Sequence, residues 1–234
     1  MSKSVYFGLP ILLLMALFFL AYPAIATAHP PAVFPDSPSS SQKQPAPESR
    51  QAILDPQALP VLISVDPSFD NFVASVKNGD PHSSVGVYVR GVLALKIVQQ
   101  PENDPVYVSA EMGTATQFRL AAMYGTLGLL AHNDRSGMQF FDLRRKQEVD
   151  IVYGDGKVRR YYVKTIRHFK PISSENPYSD FLDMDNGGDW VTSSQVFQRV
   201  FVGSDQVVFQ TCIAADGNPT WGRLFVTAMP QSMN

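Results

Sequence analysis

The chain has 234 residues, 45% of them apolar and 17% charged, with a net charge of -2 at neutral pH. That supplies core enough for one ordinary domain and no basic surface, so no nucleic-acid partner is expected. A single cysteine excludes an internal disulfide framework and a Cys-based zinc or iron–sulfur site. The histidines, at 29, 82, 132 and 168, include no pair at metal-ligand spacing, so neither metal nor cofactor is expected.

Residues 4–35 carry no charge, and Ile11 to Tyr22 is a dense apolar run after Lys3. Ala26-Thr27-Ala28 then offers the small residues a signal peptidase reads, with cleavage after Ala28. The competing reading is an uncleaved anchor over residues 5–25, about long enough to span a bilayer. Residues 1–28 are therefore a signal peptide or membrane anchor, and either places the rest of the chain outside the membrane. The protein is read as exported, extracellular or at the cell surface, touching membrane only through that segment. Residues 29–58, rich in Pro and Ser up to Arg50, read as an extended linker that buries too little to order itself.

From residue 59 to 234 the pattern is that of one β-rich domain. Val61 to Val65 is a first candidate strand. Val85 to Val98 alternates, with Gly91 marking a bend or bulge. Val106 to Ala110 is short, and Thr126 to His132 is a buried-type run. Glu148 to Tyr153 and Val158 to Phe169 flank Gly154-Asp155-Gly156-Lys157, a hairpin signal. Gln206 to Cys212 and Gly222 to Met229 complete the set. Helices are few: a short one over Thr116 to Tyr124, and one over Thr192 to Phe201, where Thr192 and Gln195 form a capping box. The class is all-β, a barrel or a sandwich.

An odd cysteine in an exported protein pairs with another chain, lies buried and inert, or reacts. Cys212 ends an apolar strand and runs into the turn-rich Asp216-Gly217-Asn218-Pro219. A thiol of ordinary pKa, about 8.5, is mostly protonated near neutrality and needs a proton acceptor to attack a carbonyl. His132 stands at another strand exit, before Asn133-Asp134-Arg135. It is either that acceptor or a surface histidine at a turn. Arg223 opens the last strand, where it either faces a thiolate or oxyanion or is an edge arginine paired with a carboxylate such as Asp216.

These residues carry a resemblance. Leu129-Leu130-Ala131-His132-Asn133, then Gln210-Thr211-Cys212, then Arg223-Leu224-Phe225-Val226 resembles the sortases, cysteine transpeptidases of the bacterial cell envelope. The His, Cys, Arg order is the sortase order, and the resemblance covers about Val106 to Ala228. It implies a closed eight-stranded β-barrel with a few short helices, whose three residues line one groove. It further implies Cys212 as nucleophile, His132 as general acid/base and Arg223 as the group that positions substrate and stabilises the oxyanion. The implied partners are a protein substrate bearing a C-terminal sorting signal and an amine acceptor in the cell wall or on another protein. A thiol hydrolase on the same scaffold and a non-catalytic β-barrel binding module are the alternatives. The acidic run Asp180, Asp183, Asp185, Asn186, Asp189 lacks the spacing of a calcium loop.

Overall fold

The computed structural model describes residues 69–174, 176 and 179–231. The signal or anchor segment, the linker and the candidate strand Val61 to Val65 lie outside the described residues. The described residues begin with helix α1 (Phe69–Val76), followed by strands β1 (Ser84–Val89), β2 (Leu93–Gln99) and β3 (Thr114–Phe118). Helix α2 (Arg119–Ala122), β4 (Thr126–Leu130) and a 3-10 helix (Ser136–Asp142) come next. Then follow β5 (Glu148–Tyr153), β6 (Val158–Pro171), β7 (Phe181–Asp183), β8 (Asp189–Val191) and helix α3 (Ser193–Phe201). Strands β9 (Gln206–Ala215) and β10 (Asn218–Met229) end the domain.

The ring runs β10-β9-β4-β3-β2-β1-β5-β6, and β6 pairs back onto β10. Eight strands therefore close a barrel, as expected. Closure depends on the 14 residues of β6. Its first part pairs β5 over Val158 to Tyr162, its middle pairs β10 over Tyr162 to Phe169, and its end pairs β7 over Phe169 to Pro171. Closing the sheet removes the open edges that would otherwise invite association. Strands β7 and β8 extend from the end of β6, outside the ring.

Alternation along each strand sorts the side chains into two layers. Leu129, Val207, Phe209, Leu224 and Val226 fill the barrel. Leu130, Val208 and Phe225, one residue out of phase, face outward into a second cluster. Helix α3 covers that outer layer with Val196, Phe197, Val200 and Phe201, where Phe201 meets Phe118 and Phe225 edge-on. The expected capping box is present. Thr192 accepts from the Gln195 backbone and the Gln195 side chain accepts from the Thr192 backbone.

Several elements differ from expectation. Thr116 to Tyr124 is not one helix: its first residues belong to β3, because Ala115 packs inside the barrel and β3 is paired on both sides. Only four residues turn helical after it. Val85 to Val98 is a hairpin rather than one bent strand, turning at Gly91 with φ near 70°, where a glycine has no steric penalty. Val106 to Ala110 forms no strand. Gln100 instead donates to the carbonyls of Pro105 and Tyr107, satisfying that loop without a ladder. Strand β4 stops at Leu130, before His132, and β9 runs past Cys212 to Ala215.

Candidate active site

Two of the three residues singled out from the sequence stand on neighbouring strands, and the third follows the end of the strand beside them. On β9 and β10, Cys212 and Arg223 are direct cross-strand partners. Both share the outward phase of Val208 and Phe225, so both side chains stand on the outer wall, continuous with the layer under α3. Strand β4 runs parallel to β9, with Leu130 beside Gln210. The contact is drawn one residue further by Ala131 N donating to Gln210 O at 3.2 Å and Thr211 Oγ1 donating to Ala131 O at 2.9 Å. His132 follows in the next position, in the loop beyond the end of β4. Thiol and guanidinium thus stand side by side on β9 and β10, and His132 lies in the loop that follows the neighbouring strand β4.

The surroundings fix each member. His132 Nε2 lies 3.3 Å from the carbonyl oxygen of Val108, which orients the ring. The loop after it folds back, with Arg135 N and Gly137 N both donating to His132 O. No side chain fits at Gly137, where a Cβ would fall 2.4 Å from Thr211 Oγ1. Arg223 is 3% exposed, so it is no surface edge arginine. Its Nη1 donates to the carbonyls of Thr220 and Gly222 at 3.0 and 2.7 Å. Asn133 Nδ2 donates to the neighbouring carbonyl of Pro219 at 3.1 Å. One stretch of backbone, Pro219-Thr220, therefore holds the histidine loop from one side and the arginine from the other. Sequence reasoning saw Asn133 only as a turn residue and did not single out Thr220, since nothing local shows which carbonyl a turn amide will reach.

No family model and no curated protein matches the chain. Solved structures do. Listeria monocytogenes sortase A is 13% identical with a TM-score of 0.39, over 64% of this chain and 88% of that one. Sortase C-1 from Actinomyces oris is 16% identical with a TM-score of 0.40, over 74% and 86%. The Group B Streptococcus Pilus Island 1 sortase C2 is 14% identical with a TM-score of 0.39, over 64% and 75%. The chain is similar in fold to sortases.

Within this sortase-like barrel the electrostatics of the thiol oppose one another. Burial pushes the Cys212 thiol up, the Arg223 guanidinium draws it down, and the Asp134 carboxylate pushes it up again. The net direction is upward, so burial outweighs the arginine that the sequence alone singled out as lowering it. Burial likewise draws the Arg223 guanidinium down, and Cys212 partly offsets that. A guanidinium nonetheless stays charged at any working pH. In the resting site the thiol therefore keeps its proton near neutrality. Replacing Asp134 by Asn removes one of the two upward influences. Labelling of Cys212 by iodoacetamide should then shift to lower pH and run about two- to threefold faster near neutrality, the scale of a screened surface charge. A pH–rate profile with the same midpoint in both proteins would show that the thiol does not feel Asp134.

The acidic run in the β6–β9 connection is largely taken up by internal partners, although Asp183 Oδ1 is buried without a hydrogen bond among the described residues. Asp180 accepts from Ser193 N, Asp183 from Arg199, and Asp185 from the His168 ring, while Asn186 donates to Asp189. No group of three or more potential metal ligands occurs among the described residues. No helix among them is long and apolar enough to cross a membrane.

Proposed function

We propose that this protein is a sortase-type cysteine transpeptidase of the cell envelope, and the observation that carries the reading is the cross-strand pair Cys212 and Arg223 on the outer wall of the barrel, with His132 in the loop after the neighbouring strand β4. The Cys212 thiol gives its proton to His132 and attacks the backbone carbonyl of a sorting signal near a substrate's C-terminus. The carbonyl electrons move onto oxygen, where the Arg223 guanidinium balances the charge. As the tetrahedral intermediate collapses, the scissile C–N bond breaks and imidazolium protonates the departing amine. A thioester to Cys212 remains. An amine from the cell wall or from another protein then attacks it, His132 takes the amine's proton, and thiol and new amide are released.

The physical setting bears on rate. Attack requires thiolate beside imidazolium, yet burial holds the proton on sulfur and a cation stands on the other side. Only a minor fraction of molecules carries the attacking pair, and slow turnover follows. Arg223 is suited to its role because a guanidinium already bound to two carbonyls needs little reorganisation when charge develops in front of it.

Mass analysis of the products from peptides carrying candidate sorting signals, with and without added triglycine, tests the reading. A ligated product that appears only with triglycine, through an intermediate released by hydroxylamine, is the expected outcome. An identical hydrolysed product under both conditions would make the protein a thiol hydrolase. Absence of any Cys212 adduct would leave a binding module.

A further inference from the structure

At the other end of β9 from Cys212 the interior of the barrel stops being apolar. The distance is six residues, roughly 20 Å at about 3.3 Å per residue. Val163 and Tyr161 on β6 pack into the barrel core, and Arg159, in the same phase, is the next side chain toward the mouth. Gln117 on β3 shares the inward phase of Ala115. Together with Tyr153 and Ser84 these residues line a cavity of about 270 Å³ that opens to solvent.

The lining is built rather than left over. Tyr161 donates its hydroxyl to Asp205 Oδ1 at 3.1 Å, and Arg159 pairs with the other Asp205 oxygen. The Arg159 guanidinium also lies over the Tyr161 ring, 5.5 Å from its centre. Burial pushes the Tyr161 phenol far up, so it remains a neutral donor. Asp205 adopts φ near 59°, a conformation costly for a residue with a side chain, and its N–H is held by Gly125 O at 2.9 Å. The chain thus holds Asp205 in strained backbone at the rim, where its carboxylate ties the inward arginine. The Gln117 amide and the Ser84 hydroxyl, by contrast, make no hydrogen bond among the described residues and face the same space.

Arg159 and Asp205 cancel in charge and leave His82 as the other basic side chain of the lining, which disfavours a strongly charged ion as the occupant. What is left is donors and acceptors together with tyrosine rings, the surface that suits a neutral ring bearing several hydroxyls. The volume lies near the lower end of the range of small-molecule sites, and mouths of barrels are among their usual places. We infer that this mouth is a second binding site, separate from the Cys212 wall, that takes one neutral sugar ring of a glycan, with Gln117 and Ser84 reading its hydroxyls. The inference stands without the transpeptidase reading, since His132, Cys212 and Arg223 take no part in it.

The test is a titration of the full-length, isotope-labelled protein followed by backbone amide NMR, with methyl glucoside and N-acetylglucosamine as neutral probes and sodium glucuronate and phosphate as anionic ones. Saturable shifts gathered at Gln117, Tyr153 and Asp205, in the millimolar range usual for a single weak polar ligand, are expected from a neutral sugar. Gln117→Ala, which breaks no internal hydrogen bond, should weaken that binding about tenfold, the cost of an orphaned polar contact. Cys212→Ala should leave it unchanged. Shifts produced by the anions alone, or none from either sugar at these residues, overturn the inference. So does Gln117→Ala binding as the parent does. Failure here with intact ligation, or intact sugar binding without ligation, separates the two readings.

Discussion

Cys212→Ala is expected to abolish both the covalent intermediate and ligation, lowering the rate at least about a thousandfold while the barrel melts where the parent does. The size of the effect follows from chemistry: a methyl group cannot attack a carbonyl, and what remains is substrate binding beside Arg223. The small effect on folding follows from placement. Cys212 is half-buried on the outer wall and belongs to neither core cluster. Its loss opens no cavity in either core cluster, so the large-to-small penalty of a core residue does not apply. Intact-mass spectrometry after reaction with substrate peptide, with a thermal melt alongside, reads both halves. A Cys212→Ala protein that still ligates would remove the nucleophile from the scheme. A variant that unfolds is answered by Cys212→Ser, whose hydroxyl nearly matches the thiol in size and should hold the fold while remaining inactive.

Much of this site could be read before any coordinates, and the reason is specific. A polar or reactive residue close to an apolar run is conspicuous, and Cys212 and Arg223 each stand close to one, Val207 to Phe209 on β9 and Leu224 to Val226 on β10. His132 was visible because a buried-type run ends just before it. Where β9 ends was not visible, because Ile213 to Ala215 continue the ladder only by virtue of pairing with β10. The same holds for β7 and β8. Three residues are too few for a period, and these strands exist because the overlong β6 offers them an edge. The misread Thr116 to Tyr124 shows the opposite failure, where a local helical pattern lost to pairing with β2 and β4. The electrostatic sign at the thiol was hidden for a related reason. Sequence reveals an arginine but not how much water folding removes from around the sulfur.

Arg223→Met is expected to lower ligation by about a hundred- to a thousandfold, the usual cost of removing a donor from a developing oxyanion, with little change in melting temperature. The two expectations come from one fact, the 3% exposure of a charged side chain. Burying a cation opposes folding, and apolar replacements of buried ionic groups are often neutral or stabilising. Methionine keeps the length of the arginine stem and its packing against the wall. The thiol answers in the opposite sense from the Asp134→Asn protein. With the guanidinium gone, only the burial and Asp134 influences remain, so the Cys212 pKa rises further and alkylation near neutrality slows. Arg223→Lys divides the role in two. It restores a positive charge, and with it much of the alkylation rate, but not the planar fork that holds Thr220 and Gly222 while facing an oxyanion, so ligation stays low. Full ligation by the Met variant would assign the buried guanidinium to folding alone, and its melting curve would then have to fall well below that of the parent.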